Sequence, residues 1–290
     1  MNDIRQIYRL SDMTAPAFAQ AAGSNPVILL PLGSHEDHGP HLPMGDYLLA
    51  EPLAVRIAEA ATARGVKTFV APCLPFGVAD YFGASPGGLA ISAGSFGSVL
   101  SELLAGLLRH GLTNIVILNG HGGNVAVIHD VTLQIRRNSG IVIPSFYLWK
   151  IARQLMETRI GQGQAGRFGH GAEPLLSLTK ALRSDAVQDD TGLPDTPKTM
   201  LGLPVSGFGT LEFLGLDIEA PAEFDQLPRD ATAVAWPLAS AELGAEVASM
   251  LVETAAKFVL HVANAASVSG VSKSRNTASF STGTSATNSI

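Results

Sequence analysis

The 290-residue chain is 46% hydrophobic and 15% charged, apolar enough to fill a large core and too apolar for a mostly disordered protein. Nineteen basic against 25 acidic side chains leave a net charge of −6, the wrong sign for a partner with a nucleic-acid backbone. The lone Cys73 rules out an intrachain disulfide framework and a cysteine-rich metal knuckle, and no bilayer-length apolar run or signal-peptide core interrupts the sequence. A soluble, cytoplasmic protein with no membrane partner is therefore expected, and its low charge suits a homo-oligomer whose contacts hide part of the surface.

In chain order, Asn25–Gly33 reads NPVILLPLG, a short apolar run ending in glycine, which predicts a buried strand followed by a loop. Leu48–Arg64 carries apolar residues at helical spacing among alanines until Gly65 stops it, and VKTFVAPCLPF reads as a second strand and loop. GSFGSVLSELLAGLLRHG supplies a helix closed by Gly111, and NIVILNGHGGN repeats the passage from strand to glycine loop. VAVIHDVTLQIRRNSG is a third helix and IVIPSFYLW a fourth strand. This alternation predicts a parallel α/β sheet whose strands end on one edge, where SHEDHGPHLPMGD and NGHGGN would meet at a crevice.

Gly161–Asp230 is irregular and rich in Gly, Pro and Asp, so it reads as loops with one helix after Glu173 and a hairpin around PVSGFGTLEFLG. Pro237–Ala266 has a long helical pattern, with acidic residues early and Lys257 late, the order the helix dipole favours. Residues 1–266 are expected to form one domain, and the Ser- and Thr-rich Ser267–Ile290 a flexible tail.

Between His35 and Asp46 stand three histidines and three carboxylates, although the whole chain has only eight histidines. Imidazole and carboxylate together form the ligand set of zinc, iron and manganese sites, and packing alone rarely needs them so close. In an extended segment Glu36 and His38 point to the same side and can serve one or two adjacent metals. Asn119-Gly120-His121-Gly122-Gly123-Asn124 reads either as an anion nest or as a loop presenting one imidazole; the first cluster on the same sheet edge favours the ligand reading. It fits neither a dinucleotide fingerprint nor a P-loop. In Arg167–Pro174, Glu173 either completes a metal set or merely suits a helix N-terminus, and His170 is a ligand, an acid–base group or a carbonyl-polarising donor. His110, His129 and His261 read as helix residues of no special role, and Cys73 as a buried small hydrophobe.

The run Gly33-Ser34-His35-Glu36-Asp37-His38-Gly39-Pro40-His41-Leu42-Pro43, followed by Asn119–Asn124 and then His170–Glu173, resembles the creatininase family of metal-dependent amidohydrolases. The resemblance implies a three-layer α/β/α fold around a mainly parallel sheet, commonly assembled as a hexamer. It further implies a small-molecule amide substrate and two divalent metal ions per subunit, zinc or manganese, with iron as a further option. On that resemblance Glu36 and His121 correspond to ligands of one metal, His38 to a ligand of the second, Asp46 to the bridging aspartate, and His170 to the histidine that assists catalysis. The sequence departs from the family pattern at three places: Tyr47 stands where the bridging aspartate usually does, Leu175 where a second glutamate ligand does, and Gly123 where creatininase proper has a glutamate. Either Glu173 takes over from the missing glutamate through a local shift, or the second metal is weak or absent.

The implied chemistry is hydrolysis of a cyclic or linear non-peptide C–N amide bond by metal-activated water, with His41, Asp37 or Asn124 orienting the ligands. A formamide deformylase or peptide-trimming hydrolase of the same family is the alternative enzyme. A non-enzymatic metal-binding assembly protein is the alternative of another class.

Overall fold

The computed structural model describes residues 7–79, 82, 85–161, 169–188, 199–207, 209–221 and 239–268. Its centre is β1 (Val27–Leu32), buried along its whole length. Parallel to it lie β2 (Thr68–Val70) on one side and β3 (Ile115–Asn119) on the other, with β4 (Ser145–Tyr147) beyond β3, in the order β2-β1-β3-β4. Successive residues of a strand face opposite sides, so the sheet builds two cores. Val27, Leu29, Val70, Val116, Leu118 and Phe146 pack into a core shared with α2 (Tyr47–Thr62), α5 (Leu148–Ile160), α6 (Leu175–Leu182) and α7 (Ala241–Val268). Ile28, Leu30, Leu32, Phe69, Ile115 and Ile117 pack into the other, with α1 (Ala15–Ala22), α3 (Ala93–Arg109) and α4 (Val125–Ser139). This is the three-layer α/β/α arrangement, with parallel strands apolar on both faces because both are covered.

The helix ends follow local chemistry. Ser92 caps α3 by accepting from Ser95 N, and Gly140, at φ +74°, closes α4 in the left-handed conformation that costs an L side chain most. Asp46 precedes α2 but gives it no side-chain cap; its carboxylate turns instead to Ser34 N, at 2.7 Å.

Several expectations need correction. Helices α1 and α5 were not anticipated, and β2 and β4 are only three residues long. The expected hairpin is β6 (Leu203–Gly207) with β7 (Thr210–Phe213), but β5 (Thr199–Met200) and β8 (Leu216–Glu219) extend it to a four-stranded antiparallel sheet. Val205 and Leu211 are its buried centre, whereas Phe213, Leu216 and Ile218 are exposed. Helix α7 runs two residues past the expected end of the domain at 266, and the rest of the expected tail, 269–290, lies outside the described residues.

Candidate metal centre at the carboxyl edge of the sheet

The parallel strands β1, β2 and β3 deliver their following loops to the same edge. After β1, Gly33 is needed because a Cβ there would sit 2.6 Å from the Cα of Tyr47, so only glycine lets the loop pass beneath the start of α2. After β3, the fully buried Asn119 folds the next loop: its Nδ2 donates to His121 O at 2.6 Å, and its Oδ1 accepts from His121 N at 3.1 Å. Asn124 joins the loops, donating to Gly33 O at 3.2 Å and accepting from Val78 N at 3.0 Å. Of the three proposed orienting residues, Asn124 thus acts through loops. Asp37 acts through its backbone carbonyl, which faces His170 Nε2, and His41 Nε2 lies 2.9 Å from Gly171 O.

These scaffolds bring Glu36, His38, Asp46, His121 and His170 together. His121 Nδ1 lies 3.0 Å from Glu36 Oε2 and 3.3 Å from Asp46 Oδ2. His38 Nε2 lies 3.3 Å from Glu36 Oε1, and His170 Nδ1 lies 3.9 Å from the same oxygen. Two sets of ligand atoms therefore converge, Glu36 with Asp46 and His121, and Glu36 with His38 and His170. The far nitrogen of every ring meets a backbone carbonyl: His121 Nε2 at Val78 O (2.8 Å), His38 Nδ1 at Pro43 O (3.3 Å) and His170 Nε2 at Asp37 O. A carbonyl only accepts, so each far nitrogen carries a proton; the near nitrogens of His121 and His38 hydrogen-bond to the carboxylates in the metal-free chain and would present lone pairs once a cation displaced those protons, the arrangement typical of metal-bound histidine.

The electrostatics agree with a site built for cations. Burial disfavours charge on Glu36, but His121 and His38 outweigh it and hold its carboxyl well below the usual range. Burial likewise opposes a cationic His121, yet Asp46 and Glu36 push it up to about 10, and the same contest with Glu36 and Asp46 raises His38. Burial and the negative charge of Glu36 raise Asp46 against the pull of His121. His170 goes the other way, to about 3, through burial and the proximity of His38, against the attraction of Glu36. Its ring is held between His38 and Phe82, at centroid distances of 4.8 and 4.6 Å. Glu36 Oε2 is buried and faces His121 Nδ1. A buried carboxylate oxygen surrounded by imidazole nitrogens is a donor set that fits a divalent cation.

Glu173 is placed elsewhere. Its buried carboxyl accepts from Ser177 Oγ at 2.6 Å and Ser177 N at 3.3 Å in the first turn of α6, and it belongs to neither convergent set. Burial raises its pKa, with Ser177 working against the shift. Leu175 belongs to the α7-side core and lines a small cavity with His38 and Pro43. Cys73 is half-buried rather than buried, and its thiol is pushed up to about 12 by desolvation and then by Glu51 and Asp46, which suits no nucleophile.

Asn119, Val78, Phe82 and Tyr147 were not singled out from sequence. Asn119 alone carried a signal, a polar residue ending an apolar strand. Tyr147 ends β4 opposite Asn119, and a Cβ on Gly122 would lie 3.0 Å from its Oη.

A family profile described as creatinine amidohydrolase matches residues 11–259. The creatinine amidohydrolase of Pseudomonas putida is 27% identical over 196 residues, 62% of this chain and 74% of that protein. The mycofactocin precursor peptide peptidase of Mycolicibacterium smegmatis is 35% identical over 111 residues, 36% of this chain and only 42% of the relative. Among solved structures, one titled "Creatininase Mn" superposes with a TM-score of 0.69 at 22% identity, over 88% of this chain and 98% of that one. A creatininase variant of "Zn-Zn type" gives 0.68 at the same identity, over 88% and 97%.

Proposed function

We propose a function from one premise: the chain belongs to the creatininase family. It is a hydrolase of C–N amide bonds, and we assign it a small cyclic or linear amide as substrate. The observation that carries this reading is the convergence of three back-tied imidazoles on two buried carboxylates at the sheet edge.

Glu36, Asp46 and His121 would hold one divalent ion, and Glu36 and His38 would hold a second; zinc, manganese and iron all suit imidazole with carboxylate. Such ions supply Lewis acidity that activates water and polarises an amide carbonyl. The chain does the rest. Asp46 is fixed by Ser34 N and Glu36 is shared between both ligand sets, so one loop sets the spacing of the pair. Asn119 and Asn124 hold the two loops at fixed separation, and His170 faces the shared carboxylate with its side chain 12% exposed, the most accessible ring of the three. That accessibility supports a role for His170 beside the reacting centre.

A second reading, trimming of a peptide, draws on the local identity to the Mycolicibacterium peptidase and on Gly122 and Gly123, which keep the loop beside His121 bare of side chains. We also infer a cytoplasmic homo-oligomer, with a hexamer as the expected form; the exposed Phe213, Leu216 and Ile218 share one face of the antiparallel sheet and give such contacts an apolar surface. Sedimentation across a concentration series reads the assembly, and a monomer throughout refutes it.

For the chemistry, metal-replete protein is offered creatinine, formamide-type amides and short peptides, with products read by mass spectrometry. Hydrolysis of one class is expected, abolished by chelation and by Glu36→Gln or His121→Ala. Retention of both metal and hydrolysis in both variants would sink the reading.

A further inference from the structure

His170 shares a structural signature with His38 and His121. In each ring one nitrogen is tied to a backbone carbonyl and the other faces a carboxylate oxygen. His41, the remaining buried histidine of the neighbourhood, does not share it: its Nε2 meets Gly171 O, but its Nδ1 is buried with no hydrogen-bond partner or carboxylate beside it among the described residues. We propose that His170 is itself a metal ligand, completing with Glu36 and His38 a two-histidine, one-carboxylate position distinct in character from the two-carboxylate position of Glu36, Asp46 and His121. The inference deepens the metal-dependent reading above and rests on it.

Three observations support a ligand rather than a mobile proton carrier. Nδ1 of His170 and Nε2 of His38 approach one oxygen, Glu36 Oε1, at 3.9 and 3.3 Å. Ligands at about 2.1 Å around a tetrahedral ion stand about 3.4 Å apart, so these spacings bracket what such an ion requires. The ring is also clamped, packed at tilted angles between Phe82 and His38 and tied to Asp37 O, so it is held at one orientation as a ligand must be. Finally, among the described residues no further carboxylate completes this position: Glu173 is committed to Ser177, and the His38 side of the pocket is walled by Leu175. Two neutral imidazoles and one shared carboxylate favour a borderline ion such as zinc or ferrous iron. The two-carboxylate position favours a harder one such as manganese.

The test counts ions on the whole chain. Chelator-stripped protein is reloaded with zinc, and bound zinc is measured by elemental analysis and competition titration. His170→Ala is expected to lose one ion per chain, or to weaken it by more than the ~10- to 100-fold that follows loss of an outer-shell partner. Millimolar imidazole should restore it, and His129→Ala, on an exposed helical histidine, should change nothing. Zinc binding by His170→Ala with unchanged number and affinity overturns the proposal. If that variant does not fold, cadmium-113 loading of protein carrying nitrogen-15 histidine decides it: three imidazoles coupled to cadmium support the proposal, and coupling confined to His38 and His121 overturns it. Ion counts that depend on His170 without hydrolysis of any substrate would refute the proposed activity alone. Hydrolysis with ion binding indifferent to His170 would refute this ligand assignment alone.

Discussion

Replacing Gly123 with alanine probes the support behind His121 without touching a ligand. The added methyl would stand 2.0 Å from Val78 O and 2.7 Å from His121 Nε2, the two atoms whose 2.8 Å contact fixes the protonated nitrogen of that ring. The backbone at 123 is not left-handed, so the cost is steric. Overpacking of this kind costs about 1–3 kcal/mol, and a buried donor that loses its acceptor adds about 1–3 kcal/mol. A total of roughly 2–6 kcal/mol lowers the melting temperature of a domain this size by about 4–12 °C. Because the ring is no longer held in its tautomer, zinc affinity should fall about 10- to 100-fold. Thermal unfolding with and without chelator, together with zinc competition titration, reads both effects. A variant that melts within a degree or two of the parent and binds zinc within about threefold would refute the claim that the Val78 carbonyl sets His121.

Glu36→Gln removes the one carboxylate common to both ligand sets, so the bound-metal count should fall by more than one class of site; a loss no larger than that of His170→Ala would show that Glu36 serves only one position. Glu173→Gln should leave bound metal unchanged, and Ser177→Ala should cost about 1–3 kcal/mol in urea unfolding by stripping a buried carboxyl of its 2.6 Å donor; metal lost from Glu173→Gln would restore Glu173 as a ligand. The pH dependence of the metal-free protein follows from His121, held up to about 10 against an ordinary 6.5 because Asp46 and Glu36 outweigh its burial. Its stabilising share is complete below pH 6.5 and is lost as pH rises toward 10, so the urea midpoint difference between the chelated protein and His121→Asn should shrink across that window. A difference that stays constant from pH 6.5 to 10 would contradict it.

The strands and most helices of the α/β/α layers were legible because parallel strands are apolar runs and their helices close on glycine, as Gly65, Gly111 and Gly140 show. Helix α5 was hidden because it starts directly at the end of β4, with no turn between Tyr147 and Leu148 to mark a change of period. The second sheet was underestimated since β5 and β8 contribute no buried residue, and an exposed edge strand carries little alternation to detect. In the site, ligand-rich chemistry was readable from residue type alone, but geometry was not. Glu173 looked like a ligand by its spacing from His170, whereas its carboxyl is spent on a hydroxyl one turn further along, and only the fold reveals that Ser177 is within reach. Similarly Val78 and Asp37 act through backbone carbonyls, which no side-chain motif encodes.

Two bonds that cross between the first and third histidine segments have a consequence for how this protein matures. His41 to Gly171 and His170 to Asp37 join residues 130 and 133 positions apart, and a Cβ on Gly171 would come within 2.3 Å of His38 O. Contacts of such span close late, after the intervening strands and helices have docked. A half-folded chain can offer Glu36 and His38, but it has no His170 beside them. On the proposed ligand assignment, full occupancy by metal would therefore be a signature of a finished polypeptide rather than a seed for its folding.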